Sequence, residues 1–361
     1  MRMTVFILAG LGVGGAWLFA TGWWRAAFAP FGINARKMTV DRLGLLVPAT
    51  DIGRVEAIFR SFAGGFNTMI AHRSSTAWEQ YCDSVPVLFQ PFAHEGAAMG
   101  YTLRHVFRYR PEGFEARLVK ARPGFRYLYY VGLGFWWGMR EVAPRRVQEL
   151  VEGLDPLHRH LCFDGYGFKR AFFDEPRDAS ALRPLEEFEG YARNAAYQGV
   201  GRAYWFRFMG DAWVLLDRLR NLGDYAADGA AGAGLASAFV HPDRLESARR
   251  LAVKMPEGWQ PHFHLGMCFG LKARSINDPR QFDQDMAGVH EGVRDAVLAS
   301  IRWCDRIEQQ VRAEQLTDGY RQWRALVTAW MAAHIEYPLT RVRSEVEASE
   351  PMISRDSAEV A

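Results

Sequence analysis

The fold of this chain is decided by four glycine-rich apolar stretches: FAGGFNTMIAHR (62–73), VGLGFWWGMR (131–140), QGVGRAYWFR (198–207) and LGMCFGLKAR (265–274). Each stretch carries a glycine 67 residues after the glycine of the stretch before it, namely Gly65, Gly132, Gly199 and Gly266. A second glycine series lies about halfway between them: HEGAAMG (94–100), DGYGF (164–168), GAGLASAF (232–239) and HEGVRDAV (290–297). Spacings near 34 residues are typical of helix–turn–helix repeats. The sequence therefore predicts an all-α fold of tandem helical hairpins, with a 67-residue double unit.

Partner helices are predicted between the glycine stretches. Segments starting at Pro144, Pro184 and Pro242 have apolar residues at helical spacing, and proline is a normal first residue of a helix. Glycine inside a helix costs about 1 kcal/mol relative to alanine. We therefore expect the glycine helices to pack backbone against backbone. Two architectures fit this pattern, an open solenoid with a concave face or a closed α/α toroid with a central cavity.

The composition is that of a globular protein. The chain has 361 residues, of which 49% are hydrophobic, and its formal net charge is only +3. A charge so close to zero gives no general attraction to nucleic acid, so no nucleic-acid partner is expected. The predicted organisation is a hydrophobic segment at 1–25, a helical repeat domain at 26–343 and a disordered tail at 344–361.

The first segment predicts a membrane anchor. The 22 residues between Arg2 and Arg25 carry no charge, and a transmembrane helix needs roughly 20 such residues. Trp23 and Trp24 are typical of a membrane interface. More basic residues follow the segment than precede it, which favours the bacterial cytoplasmic membrane with the main domain in the cytoplasm. The alternative is a buried, glycine-rich first helix of the array.

Two carboxylates are the candidate catalytic groups. Glu95 and Asp164 occupy matching places, each just before a glycine of the second series. A carboxylate on an inner face becomes a candidate acid or base when burial raises its pKa. The alternative is that both are helix N-terminal acids that interact with the helix dipole. No metal site is expected, because the four cysteines and the histidine pairs lack ligand spacing, and the sequence identifies no cofactor.

Arginines and aromatic residues are the candidate binding groups. An arginine follows each glycine of the first series by eight residues, which includes Arg140, Arg207 and Arg274. In an open solenoid these arginines form a structural ladder that caps helix ends, whereas in a toroid they converge on an anionic ligand. The remaining candidates line the same helices: Arg202, Trp136, Trp137, Tyr204 and Trp205.

The chain also resembles a known family. The stretches HEGAAMGYTL (94–103), FDGYGFKRAFF (163–173) and QGVGRAYWF (198–206), with the flanking glycine stretches, are similar to the UnbL-type family. Members of that family are encoded beside the polyketide synthases of enediyne antibiotic clusters. The resemblance runs from about Phe62 to Arg274 and implies a role in making a polyene or enediyne-like metabolite, without implying a reaction.

These observations lead to two functional hypotheses. The first is a biosynthetic protein, such as a cyclase, that acts on a long apolar polyene or isoprenoid at or near the membrane. The second is a non-enzymatic helical-repeat scaffold that gathers the partner proteins of a biosynthetic complex. An enclosed, aromatic-lined cavity favours the first hypothesis, and an open groove with exposed arginines favours the second.

Overall fold

The computed structural model describes residues 29–72, 75–105, 108–315 and 318–334. Within these residues the fold is all-α, with no strand, as predicted. The chain divides into two compact units, which meet in sequence between Ala192 and Arg193 and are here called unit 1 and unit 2. The predicted tail at 344–361 lies outside the described residues.

Among its described residues, unit 1 contains six helices of eight residues or more. They are α1 (Ile52–Ala71), α2 (Ser75–Ser84), α3 (Gln90–Arg104), α4 (Arg126–Met139), α5 (Pro144–Val151) and α6 (His160–Lys169). The apolar helices α1, α3, α4 and α6 pack side by side in chain order and form the inner layer. A π-helical turn, Arg170–Asp174, continues α6, and a second π-helical turn, Glu115–Val119, precedes α4.

The described part of unit 2 contains eight helices of that length, the first of which begins two residues before the boundary. They are α7 (Tyr191–Phe208), α8 (Ala212–Arg220), α9 (Ala226–Val240), α10 (Leu245–Lys254), α11 (Gln260–Asn277), α12 (Pro279–Ala287), α13 (Glu291–Ala313) and α14 (Gly319–His334). The glycine-rich helix α9 packs against α11, and α13 and α14 also contact α11. Shorter 3-10 turns connect many of these helices, among them Pro123–Phe125 before α4.

Glycine lets the inner helices touch backbone to backbone. A Cβ atom added at Gly134 of α4 would lie 1.7 Å from the carbonyl oxygen of Cys162 on α6. A Cβ at Gly201 of α7 would lie 1.8 Å from the carbonyl oxygen of Gly229 on α9. Real Cβ atoms essentially never come closer than 3.0 Å to such atoms, so these positions admit only glycine unless the helices separate. The expectation drawn from glycine in apolar helices is met at these contacts.

The glycine contacts also show which glycines occupy equivalent positions in successive helices. Four glycines, Gly96, Gly165, Gly232 and Gly266, each face a carbonyl oxygen 34 or 35 residues earlier in the chain: Phe62, Val131, Gln198 and Ala231. We call these four the reference glycines. The predicted set behaves differently, because Gly65 of α1 faces a later helix whereas Gly132 of α4 faces an earlier one, and that helix is α3 in both cases. The 67-residue repeat is therefore not confirmed in the predicted register.

A longer internal correspondence links α3 to α11. Gln90 and Gln260 each donate a side-chain hydrogen bond to the carbonyl five residues earlier, at 3.1 and 3.0 Å. Arg104 and Arg274 each donate to a carbonyl 35 residues earlier, that of Met69 at 3.1 Å and that of Phe239 at 2.6 Å. The two glutamines are 170 positions apart in the sequence, and so are the two arginines. The helices α3 and α11 therefore make equivalent hydrogen bonds at their first and last residues or close to them.

The membrane location predicted from the sequence is corrected by the structure. No helix among the described residues is both long enough and apolar enough to cross a membrane. The segment at 3–24, which carried the prediction, lies outside the described residues. The apolar character of the inner helices is instead used in packing them against one another.

Candidate functional site

A cluster of six phenylalanines marks one face of unit 1. Phe62 of α1 lies 5.2 Å from Phe135 of α4, measured between ring centroids, and Phe135 lies 5.9 Å from Phe168 of α6. The π-helical turn after α6 adds two more rings, of which Phe172 lies 5.8 Å from Phe59 of α1. We call this set the phenylalanine face: Phe59, Phe62, Phe135, Phe168, Phe172 and Phe173.

The phenylalanine face is not sealed. Phe59, Phe135 and Phe172 are buried, but Phe62, Phe168 and Phe173 are only half-buried. Three partly exposed aromatic rings therefore lie over a layer of buried ones. Such a surface suits a flat or elongated apolar ligand, because covering it removes further apolar area from water.

Glu95 lies on α3 between a residue that contacts α2 and one that contacts α1. Its neighbour His94 packs against Trp78 of α2, at 5.8 Å between ring centroids, while Gly96 packs against α1. Since a helix turns about 100° per residue, the position of Glu95 is rotated by about 100° from each of these two. Its exposed fraction is 6%, so its carboxylate is almost removed from water.

Asp164 shares a side of α6 with the phenylalanine face. It precedes Phe168 by four residues, and residues four apart lie above one another on a helix. Asp164 is 1% exposed. The helices that carry Glu95 and Asp164 flank α4, because Gly132 of α4 faces α3 and Gly134 faces α6. The structure thus buries both predicted catalytic residues in the inner layer of unit 1.

Unit 2 shows that the fold does not require these carboxylates. Glu95 and Asp164 each precede a reference glycine, and the residues that precede the other two reference glycines are Ala231 and Leu265. All four glycines make the same backbone contact with the helix two places earlier in the numbering. The contact therefore forms equally with apolar neighbours, whereas removing a carboxylate from water is unfavourable.

The predicted aromatic binding residues belong to the cores of the two units. Trp136 and Trp137 are buried, and Trp137 packs edge-on against Tyr109 at 5.6 Å. Trp205 is buried against His241, at 5.7 Å between ring centroids, and Tyr204 is also buried. These side chains fill space between helices, and none of them belongs to the phenylalanine face.

The predicted arginines have different surroundings. Arg274 is buried, donates to the Phe239 carbonyl near the end of α9 and lies 4.0 Å from the centre of the Phe239 ring. Arg140 is exposed, and Arg207 is half-buried beside Phe208. Arg202 is buried on α7, and its backbone nitrogen faces Gly232 as that of Phe135 faces Gly165. Arg274 thus caps the end of α9, which is the role that the structural-ladder hypothesis expects of these arginines. Arg104 was not among the predicted arginines, but it makes the corresponding bond near the end of α1.

A histidine and three thiols in the core are held in their neutral forms. Tyr129 is hydrogen-bonded to Nδ1 of His94 at 2.8 Å, and burial, followed by the charge of Arg122, lowers the pKa of His94 to about 3. Burial raises the pKa of Cys82 to about 12 and raises that of Cys162 and Cys304 well above the usual value. These thiols are protonated at neutral pH and are poor nucleophiles.

Two cations that the sequence did not single out also lie in this part of unit 1. Lys169 at the end of α6 and Arg170 at the start of the π-helical turn are both buried, and both contact Asp174. Within the described residues, no group of three or more histidine, cysteine, aspartate or glutamate side chains is placed to hold a metal ion.

Comparison with known proteins identifies a family but no function. A family model described as "Protein of unknown function (DUF1702)" matches residues 26–331, which is most of the chain. No curated protein and no solved structure matches the sequence.

Proposed function

Because the chain belongs to the DUF1702 family, whose function is unknown, we propose a function from the chemistry of unit 1 itself. Unit 1 binds a long apolar polyene or isoprenoid chain against the phenylalanine face. Glu95 and Asp164 then act as the acid and base of a rearrangement or cyclisation of that chain. The resemblance to the UnbL-type family supports a place for this reaction in the biosynthesis of a polyene or enediyne-like secondary metabolite.

The observation that carries the proposal is the contrast between equivalent positions. The carboxylates of Glu95 and Asp164 stand where unit 2 has Leu265 and Ala231, although the glycine contact beside them is the same. A buried charge that packing does not need is a candidate for function. Both carboxyl groups lie in the inner layer of unit 1, whose helices also carry the partly exposed Phe62 and Phe168.

The chemistry is balanced without an oxidant or reductant. One carboxyl group donates its proton to a carbon–carbon double bond, which leaves a carbocation on the substrate and a carboxylate on the protein. Aromatic rings stabilise a cation through their negative faces, and the phenylalanine face supplies six of them. The second carboxylate removes a proton from a neighbouring carbon and restores a double bond. The product is an isomer of the substrate.

Ligand binding is tested first. Purified protein is titrated with diphenylhexatriene, a neutral polyene whose fluorescence rises in an apolar site. Wild type is expected to bind it saturably, and Phe135→Ala is expected to weaken binding, because Phe135 contacts three other rings of the face. Absence of saturable binding to wild type would refute the proposal.

Catalysis is tested in the producing organism. Glu95→Gln and Asp164→Asn keep the shape of each side chain and remove its acid–base function, so the metabolite is expected to disappear while protein levels stay normal. Glu152→Gln, which changes an exposed carboxylate of unit 1, is the matched control. An unchanged metabolite profile in both variants would reject the catalytic roles and favour the scaffold hypothesis.

A further inference from the structure

Lys169, Arg170 and Asp174 form a charge cluster at the end of α6. The Lys169 ammonium nitrogen lies 2.8 Å from Oδ2 of Asp174, and Nη1 of Arg170 lies 2.8 Å from the same oxygen. Nε of Arg170 also donates to the carbonyl of Ala181 at 2.9 Å. The exposed fractions of Lys169 and Arg170 are 4% and 9%, so both cations are buried.

The cluster has a surplus positive charge. Two cations share one carboxylate, and among the described residues the only other acid within ion-pairing distance of them is Glu141, at 3.5 Å from Arg170 with its side chain 73% exposed. An ion pair with so exposed a partner is screened by water and contributes little. Among the described residues, Asp174 is the one partner of the Lys169 ammonium, which has three N–H donors. Two of those donors are therefore available to a ligand.

The packing of α4 and α6 is adapted to admit Lys169. A Cβ at Gly138 of α4 would lie 3.2 Å from the Cβ of Lys169. At the corresponding place in α1 and α3 the order is reversed, since Met69 of the earlier helix packs against Gly100 of the later one. Phe239 and Gly270 repeat that arrangement in α9 and α11. Between α4 and α6, the glycine is on the earlier helix and the large residue is on the later one. This arrangement leaves room for the long cationic side chain of Lys169.

The phenylalanine face continues into the same segment of the chain. Phe168 directly precedes Lys169, and Phe172 and Phe173 lie between Arg170 and Asp174. Three rings of the phenylalanine face and the buried, incompletely neutralised ammonium group of Lys169 thus lie within seven residues, from 168 to 174. An apolar ligand with a negatively charged end is complementary to both features, because the charge-assisted hydrogen bond offsets the desolvation of the cation.

We propose that Lys169, supported by Arg170, binds an anionic head group of the ligand whose apolar chain lies on the phenylalanine face. The proposal rests on the proposed function and adds the substrate class, which is an amphipathic polyene or isoprenoid that ends in a carboxylate or a phosphate. Asp174 positions both cations and prevents the uncompensated charge from rising to two. Lys169 in this account is a binding residue and takes no part in proton transfer.

The test compares an anionic with a neutral probe on the full-length protein. cis-Parinaric acid is a fluorescent polyene with a carboxylate, and diphenylhexatriene is its neutral counterpart. Lys169→Met retains the length of the side chain and removes its charge. We expect it to weaken parinarate binding at least about tenfold, which corresponds to about 1.4 kcal/mol, and to leave diphenylhexatriene binding unchanged. Lys120→Met, at an exposed lysine of unit 1, is the matched control and should change neither affinity.

A second arm distinguishes the two kinds of head group. Geranylgeranyl diphosphate and the neutral alcohol geranylgeraniol compete with diphenylhexatriene for wild type and for Lys169→Met. A diphosphate preference in wild type that disappears in the variant identifies phosphate as the head group, whereas loss of the parinarate preference alone identifies a carboxylate.

The outcomes separate the two proposals. If wild type binds diphenylhexatriene but Lys169→Met binds both anionic probes as wild type does, the head-group proposal is wrong and the proposed function stands. If wild type binds neither the neutral nor the anionic probes, both are wrong. Thermal melting of the variant confirms that it is folded, and Lys169→Arg, which keeps the charge, should retain the preference for anions if the first variant proves unstable.

Discussion

Among the described glycines of unit 1, Gly134 is the one at which an added Cβ would make the shortest contact. The added Cβ would lie 1.7 Å from the carbonyl oxygen of Cys162 and 2.7 Å from its Cα. Both contacts are with backbone, so no side-chain rotation relieves them. To reach an ordinary contact of about 3.4 Å, the two atoms must move apart by roughly 1.7 Å, so α4 and α6 must separate locally.

The expected cost follows from that displacement. Alanine in place of glycine inside a helix contributes up to about 1 kcal/mol of stability by itself. Against this, overpacking costs about 1–3 kcal/mol, and a gap of 0.5–1 Å already loses roughly a quarter to a half of each dispersion contact that spans it. Taking the upper end of that range, because the clash is with backbone, less the gain from alanine, we expect a net loss of about 2 kcal/mol, or about 4–8 °C in melting temperature for a unit of this size.

The assay is thermal unfolding followed by circular dichroism, with Gly53→Ala as control. Gly53 is an exposed glycine near the start of α1, and a Cβ there would meet no atom within 4 Å. The control should melt at or slightly above the temperature of wild type. A Gly134→Ala variant that melts with the control would refute the backbone contact between α4 and α6.

Two further predictions concern the core and the helix ends. Because the pKa of His94 is about 3 in the folded protein and about 6.5 when unfolded, its contribution is complete above pH 6.5 and is lost as pH falls towards 3. By pH 5 the loss is about 2 kcal/mol, so His94→Gln should unfold with a shallower dependence on pH in urea titrations, and an unchanged slope would contradict the lowered pKa. Arg104→Met removes hydrogen bonds to the carbonyls of Met69 and His72 and should cost about 2 kcal/mol, whereas Arg140→Met, at an exposed arginine, should change the stability by less than about 0.5 kcal/mol. Equal effects of the two arginine variants in urea unfolding would contradict the capping role.

The close packing of the helices was predictable because glycine inside a helix lowers its stability. Glycine is therefore expected there only where another feature requires it, such as the contact of two helix backbones. The register was not predictable, because VGLGF contains both Gly132 and Gly134. Spacing alone does not reveal that the first faces α3 and the second faces α6. The choice between an open solenoid and a closed toroid stays a prediction.

The candidate site was predictable only in its carboxylates. Glu95 and Asp164 could be found because each precedes a glycine of the same series, and the structure buries both. The phenylalanine face could not be found, because its rings come from α1, α4, α6 and a π-helical turn that shifts the helical phase after Arg170. The sequence does distinguish Lys169, which follows Gly165 by four residues. The residues four places after the other reference glycines, Gly96, Gly232 and Gly266, are all glycine or alanine.

The aromatic candidates were singled out for a different reason. Tryptophan and tyrosine next to the glycines indicated a ligand-lining role, but most of them pack between helices, where large rings fill the space beside a glycine contact. Trp137 and Trp205 illustrate this, since each is buried against a ring from another segment of its own unit. Sequence spacing could place these residues on a helix without revealing which face of it they occupy.

The central claim is that Glu95 and Asp164 serve the ligand and are not needed by the fold. The most direct test gives unit 1 the residues that unit 2 already uses at these positions, in the double variant Glu95→Leu and Asp164→Ala. The account predicts a protein that melts at or above the wild-type temperature, binds diphenylhexatriene as wild type does, and yields none of the metabolite in the producing organism. A variant that fails to fold, or one that folds and still yields the metabolite, would contradict it.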